Sequence, residues 1–278
     1  MSKPDHSTPG TAAASSVTAP SNHDAAGNVL TVDAMSAGYN GLPVVRDISL
    51  TVAEGEIVAL LGSNGAGKTT TLSAIAGLIK PMSGTIQLGG QATMGRTAYR
   101  LARDGVALVP EDRALFHDLT TRENLRVASV RGKANDGEER VLEFLPELKK
   151  CLGRKAGLLS GGEQQMLAVG RALVGEPRLL IVDEMSLGLA PVVVERLLPV
   201  LQDIAAKLNT AVLVVEQHVA LAMEVASRAY VLAHGRIVLE GTTDELRSSQ
   251  SLIAASYFGD VEAAEALGAK TPGGTNDH

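Results

Sequence analysis

Gly62-Ser63-Asn64-Gly65-Ala66-Gly67-Lys68-Thr69 is the stretch on which the fold of this chain turns. It satisfies the phosphate-loop pattern G-x-x-x-x-G-K-[ST] in full. The glycines let backbone amides curl around phosphate oxygens, and a helix beginning at Lys68 adds the positive end of its dipole. Lys68 is suited to reach the β- and γ-phosphates, and the Thr69 hydroxyl to sit on Mg²⁺. The preceding run Ile57-Val58-Ala59-Leu60-Leu61 is short and wholly apolar, as a buried strand is. Strand, glycine loop and helix in that order predict a nucleotide-binding α/β domain.

Outward from the loop the same alternation continues. Apolar runs predict strands near 30–35, 44–51, 56–61, 105–109, 178–182, 211–215, 228–232 and 236–239. Helical patterns fall near 68–78, 121–130, 137–145, 162–174, 192–208 and 219–226. Helices between apolar strands indicate a mostly parallel sheet, while the first strands, joined by Gly-rich turns, read as antiparallel. The stretch from about 91 to 175 is rich in helix and poor in strand, which predicts an inserted helical subdomain. Residues 1–28 hold Ala, Ser, Thr, Pro and Asn without Leu or Ile; they read as a disordered extension and lack the apolar core of a secretory signal. Residues 260–278 read as a second flexible tail, leaving 29–259 as the folded domain.

The 278 residues are 45% hydrophobic and 20% charged, enough to bury a sizeable core. A net charge of −6 argues against a nucleic-acid surface, which carries a basic excess. The single cysteine, Cys151, cannot form an internal disulfide, which fits a reducing compartment. The most apolar stretches are far shorter than the ~20 residues of a membrane span, so any meeting with a membrane is expected through a partner.

Three further stretches carry chemistry. Arg178-Leu179-Leu180-Ile181-Val182-Asp183-Glu184 is an apolar strand ending in two carboxylates, at the edge of a parallel sheet where ligands bind. Asp183 suits Mg²⁺, and Glu184 could polarise an attacking water. Val214-Val215-Glu216-Gln217-His218 puts an imidazole just past the next strand, within reach of a γ-phosphate. Leu159-Ser160-Gly161-Gly162-Glu163-Gln164-Gln165 places glycine amides at a helix start, a second anion site almost a hundred residues from the first. Two phosphate devices in one chain imply two phosphates, or one nucleotide shared with a second subunit.

In order and spacing these four motifs resemble the ATP-binding subunit of ABC (ATP-binding cassette) transporters, over about residues 29–259. The resemblance implies a P-loop NTPase with a RecA-like core, an antiparallel β-subdomain and a helical subdomain containing the signature Ser160–Gln165. It implies ATP and Mg²⁺ as cofactors. Nucleotide would be held by Tyr39, stacking on adenine, by Gly62, Ser63, Asn64, Gly65, Ala66, Gly67, Lys68, Thr69 and Thr70, and by Ser160, Gly161 and Gly162 across the interface of a head-to-tail dimer. Thr69, Glu111 and Asp183 would hold the metal, with Glu184, His218 and Lys68 catalytic. Leu187-Gly188-Leu189-Ala190 would be the loop that crosses to the other subunit.

Val109-Pro110-Glu111, the Leu-Ser-Gly-Gly-Glu-Gln-Gln form of the signature, Ser186–Pro191 and the close Gly241–Leu246 through Tyr257-Phe258-Gly259 are similar to one branch, the second ATPase subunit of branched-chain amino acid importers. Met185 departs from it, since the family usually has proline after the glutamate; His218 replaces an asparagine common in the branch. The branch implies a second ABC ATPase subunit (a heterodimer, or else a homodimer), integral membrane permeases and an extracellular solute-binding protein, with this chain on the cytoplasmic face of the plasma membrane. Arg113, Leu115, Phe116 and His117 are the candidate groove for a permease helix, or else ordinary loop packing. The alternative is a soluble ABC ATPase not coupled to a transporter, although such proteins usually carry two cassettes or a long coiled-coil insertion. A regulatory GTPase is disfavoured because no Asn-Lys-x-Asp motif follows the P-loop.

Overall fold

A computed structural model describes residues 27–129 and 134–248; residues 1–26 of the expected N-terminal tail, the expected C-terminal tail and Tyr257–Gly259 lie outside these, whereas Asn28, read as the end of the tail, already pairs in the first strand. In chain order the strands are β1 (Asn28–Tyr39), β2 (Leu42–Ala53), β3 (Ile57–Leu61), β4 (Ser83–Leu88), β5 (Gln91–Ala92), β6 (Val106–Val109), β7 (Leu179–Asp183), β8 (Ala211–Glu216), β9 (Arg228–Ala233) and β10 (Arg236–Thr242). The helices are α1 (Lys68–Ile75), α2 (Ala98–Arg103), α3 (Thr121–Val127), α4 (Ala134–Phe144), α5 (Gly161–Leu173), α6 (Pro191–Leu208), α7 (Val219–Val225) and α8 (Thr243–Ser248).

Two sheets form. One is antiparallel in the order β2-β1-β4-β5; the other runs β10-β9-β3-β8-β7-β6, with β9, β3, β8, β7 and β6 parallel and β10 an antiparallel edge. Every residue of β3, β7 and β8 is buried, which is why these strands read as unbroken apolar runs rather than alternating ones. Their side chains still alternate. Val58, Leu60, Ile181 and Leu213 face the antiparallel sheet and α1, whereas Ala59, Leu61, Val182 and Val214 pack against α5, α6 and α7. The parallel sheet is thus the middle of three layers, and its C-terminal edge carries the ends of β3, β7 and β8 side by side.

Four elements are absent from the sequence reading: β4, β5, α2 and α8. Ser83–Leu88 is a strand although it holds only two large apolar residues; β1 recruits it through five paired positions. Gln91–Ala92 pairs with β4, and β6 pairs with β7 inside the parallel sheet. The helix-rich insertion therefore starts after β6, not at Gln91, and comprises α3, α4 and α5 with two short 3-10 turns at Pro146–Cys151 and Ala156–Leu158. Among the described residues no helix is long and apolar enough to cross a membrane.

Candidate active site

The phosphate loop joins the end of β3 to α1. Gly67 caps α1 with φ +109°, a backbone that side chains rarely adopt, and a Cβ there would lie 2.4 Å from Val45 of the β1–β2 hairpin. Gly62 is equally tight: its Cβ would stand 2.6 Å from the Leu232 carbonyl. The loop is tied down from outside, by Gly62 N–H donating to the Glu216 carbonyl at 3.3 Å and Gly235 N–H to the Ala66 carbonyl at 3.0 Å. Asn64, Gly65 and Thr69 are exposed, while Ala66, Lys68 and Thr70 are buried and Ser63 is half-buried.

Lys68 is only 6% exposed, and its ammonium is saturated. It donates to the carbonyls of Gly62 at 2.7 Å and Ser63 at 3.1 Å, and it meets Glu184 Oε1 at 3.1 Å. The two chemically strongest groups of the sequence reading, 116 positions apart in the chain (184 − 68), are therefore in contact. Parallel neighbours place them so: β3 lies next to β8 and β8 next to β7, so the P-loop and the Asp183–Glu184 edge open on the same side.

Asp183 ends β7 at 5% exposure, and its Oδ1 is buried with no hydrogen-bond partner. Burial, followed by the charges of Glu184 and Glu111, pushes its carboxyl up to about 6 against the opposing pull of Lys68. A sealed, unsatisfied carboxylate oxygen costs free energy unless something cationic meets it. Among the described residues no cluster of three or more His, Cys, Asp or Glu could hold a metal alone. Mg²⁺ at a phosphate loop needs no such cluster, because one or two side chains act together with phosphates and water. Thr69 and Asp183 are the fitting donors, with the exposed Glu111 close enough to disturb Asp183.

His218 caps α7 without a side-chain bond to it and is exposed; burial pushes the nearby Glu216 carboxyl above the usual carboxylate range, against the hydrogen bonds from Ser186 and the weaker pull of His218. Tyr39 ends β1 opposite Leu42 and is 48% exposed, so its ring is available for stacking. Ser160 caps α5 reciprocally: its Oγ accepts from Glu163 N–H at 3.3 Å, and Glu163 accepts from Ser160 N–H at 2.8 Å and pairs with Arg154. Gly161 and Gly162 pack against Leu189 and Val193, so a Cβ on Gly162 would come within 2.7 Å of Val193. The start of this helix therefore lies next to the 187–190 turn, with a Cβ on Gly161 reaching Leu189 at 3.4 Å.

Of the expected docking residues, only part faces outward. Arg113 turns inward and clasps Gln165 at 2.9 Å and Gln164 at 3.1 Å, and Leu115 is buried. Phe116 and His117 remain exposed, with the Arg171 guanidinium 4.9 Å above the Phe116 ring. Sequence reasoning assigned nothing to Glu216, a buried carboxylate in contact with Ser186. A lone carboxylate closing an otherwise apolar strand was the available signal.

The ABC transporter family pattern matches residues 45–186, and the chain is 40% identical over 217 residues to the high-affinity branched-chain amino acid transport ATP-binding protein BraG of Pseudomonas aeruginosa. The chain belongs to the ABC transporter family. The BraG match spans 77% of this chain and 93% of its relative. A second protein of the same organism, the branched-chain amino acid transport ATP-binding protein BraF, is 29% identical over 84% of this chain and 98% of its own length. A solved ATP-binding subunit of an ABC transporter superposes with a TM-score of 0.71 at 33% identity, over 86% of this chain and 99% of that one. As a member of this family the chain is an ATP hydrolase of transporter type, built on the P-loop NTPase fold.

Proposed function

We propose that this ABC ATPase energises import of branched-chain amino acids or related small solutes from the cytoplasmic face of a bacterial plasma membrane. The observation that carries the reading is the 40% identity to BraG across nearly all of that protein. BraF in the same organism supports a pairing of two different ATPase subunits, and the 187–190 turn beside Ser160–Gly162 supports a head-to-tail dimer in which each ATP lies between one P-loop and the other signature. Permease subunits and an extracellular solute-binding protein complete the proposed system. The transported molecule never touches this chain, so the cargo rests on relatives alone.

Within the site, Tyr39 stacks on adenine, and Gly62–Thr70 with Ser160, Gly161 and Gly162 holds the phosphates. Lys68 neutralises the β- and γ-phosphates, which requires its ammonium to leave the Gly62 and Ser63 carbonyls. Thr69, Asp183 and Glu111 would hold Mg²⁺, which supplies charge neutralisation on the phosphates when bound. Glu184, released from Lys68, takes a proton from the attacking water, and His218 completes the γ-phosphate surroundings. Positioning and electrostatics supply most of such a rate enhancement. The test is uptake: a strain lacking this chain should lose import of radiolabelled leucine, isoleucine and valine, and recover it with the wild type but not with Glu184→Gln. Unchanged uptake of all three would reject the cargo.

A further inference from the structure

The turn that carries Glu184 has an unusual support. Glu184 sits at φ +46°, a left-handed conformation that costs a non-glycine residue free energy and persists only where its surroundings over-determine it. Three hydrogen bonds tie this turn to the neighbouring strand. Glu184 N–H donates to the Val215 carbonyl at 2.9 Å, Ser186 N–H to Glu216 Oε1 at 3.0 Å, and the Ser186 hydroxyl to Glu216 Oε2 at 2.9 Å. Between them Met185 is fully buried in the core. Glu216 itself is 0% exposed, and its backbone carbonyl accepts from Gly62 N–H. One residue therefore grips the start of the phosphate loop through its backbone and the turn behind Glu184 through its side chain.

We infer that Glu216 is a positioning residue for ATP hydrolysis: with Ser186 it braces the left-handed backbone at Glu184 and so aims that carboxylate at the space beside Lys68. A carboxylate fits this duty because both its oxygens accept, matching the two donors that Ser186 offers. Losing one partner would leave a buried group unpaired and free the turn to relax toward ordinary φ, carrying Glu184 away from Lys68. Displacements of about 1 Å in a catalytic group can cost on the order of a hundredfold in rate. The inference rests on the general-base role proposed for Glu184.

Steady-state phosphate release and ATP affinity are measured on the full-length chain for wild type, Ser186→Ala, Glu216→Ala, Glu216→Gln, the Ser186→Ala/Glu216→Ala double variant and Glu184→Gln. Glu216→Ala should lower kcat by about tenfold to a hundredfold while ATP affinity stays within about twofold, the split expected when only transition-state positioning is lost. Ser186→Ala should move kcat in the same direction, and the double variant should be no slower than Glu216→Ala. Glu216→Gln, which still accepts from Ser186 N–H, should recover most of the rate. Wild-type kcat in Ser186→Ala overturns the brace, and so does multiplication of the two single losses in the double variant. Should Glu216→Ala fail to fold, Ser186→Ala and Glu216→Gln still decide. Full turnover by Glu184→Gln would instead reject the general-base role beneath the inference.

Discussion

Replacing Asp183 by asparagine should stabilise the metal-free, nucleotide-free chain above pH 6 and cripple hydrolysis. In the folded chain the Asp183 carboxyl is pushed from 3.8 to about 6 by burial and by the charges of Glu184 and Glu111. The folded state therefore holds a proton over that window while the unfolded state has released it. Stability must fall as pH rises through the window, and the full penalty is present above it. At about 1.4 kcal/mol per pKa unit, a shift of roughly two units amounts to about 3 kcal/mol. Asparagine carries no charge and escapes this penalty, but its buried amide costs about 1–2 kcal/mol at every pH. The net gain at pH 7.5 is then about 1–2 kcal/mol, or roughly 2–8 °C in Tm for a domain of this size. Between pH 4.5 and 7.5 the stability difference between variant and wild type should grow by about 2 kcal/mol. Urea unfolding in EDTA at a series of pH values measures it, and phosphate release should drop about a hundredfold or more. A stability difference that stays flat with pH would mean that the Asp183 carboxyl is not raised in the folded chain.

Other consequences are equally direct. Ser160→Arg should leave ATP binding to the isolated monomer intact and block hydrolysis, because the proposed dimer places Ser160–Gly162, whose helix start lies beside the 187–190 turn, over the partner's nucleotide; loss of monomer binding in equilibrium dialysis would contradict the shared site. Gly67→Ala should destabilise the P-loop and abolish ATP binding, since it combines φ +109° with a 2.4 Å approach to Val45; ATP affinity close to wild type would count against the loop geometry. Arg228→Ala should cost about 3 kcal/mol in urea unfolding, because Arg228 grips the half-buried Glu56 carboxylate at 2.7 and 3.1 Å and the Thr51 carbonyl at 3.1 Å, joining the two sheets. A loss below about 0.5 kcal/mol would mean the pair is solvent-screened.

What could be read before the structure was known followed burial. Strands sealed on both faces, such as Ile57–Leu61 and Leu179–Asp183, announce themselves as apolar runs, and the residues at their ends fall on one sheet edge by topology. The strand Ser83–Leu88 was illegible because its pairing with β1, not its own residues, makes it a strand. For Arg113 the sequence leaves docking surface and ordinary loop packing both open, since nothing local reveals that it turns toward Gln164 and Gln165, 51 and 52 positions away. Glu216 escaped for the same reason. A carboxylate at a strand end reads as solvated until the turn from Ser186 is folded over it.

In the proposed mechanism Glu184, held 3.1 Å from Lys68 at the edge of the parallel sheet, activates water against ATP bound in Gly62–Thr69. Its most direct test is Glu184→Gln in the full-length chain, with ATP binding, oligomeric state and phosphate release followed on one preparation. The variant should keep near wild-type ATP affinity, form an ATP-bound dimer that persists, and turn over slower by about two orders of magnitude or more. Phosphate release at the wild-type rate would contradict it.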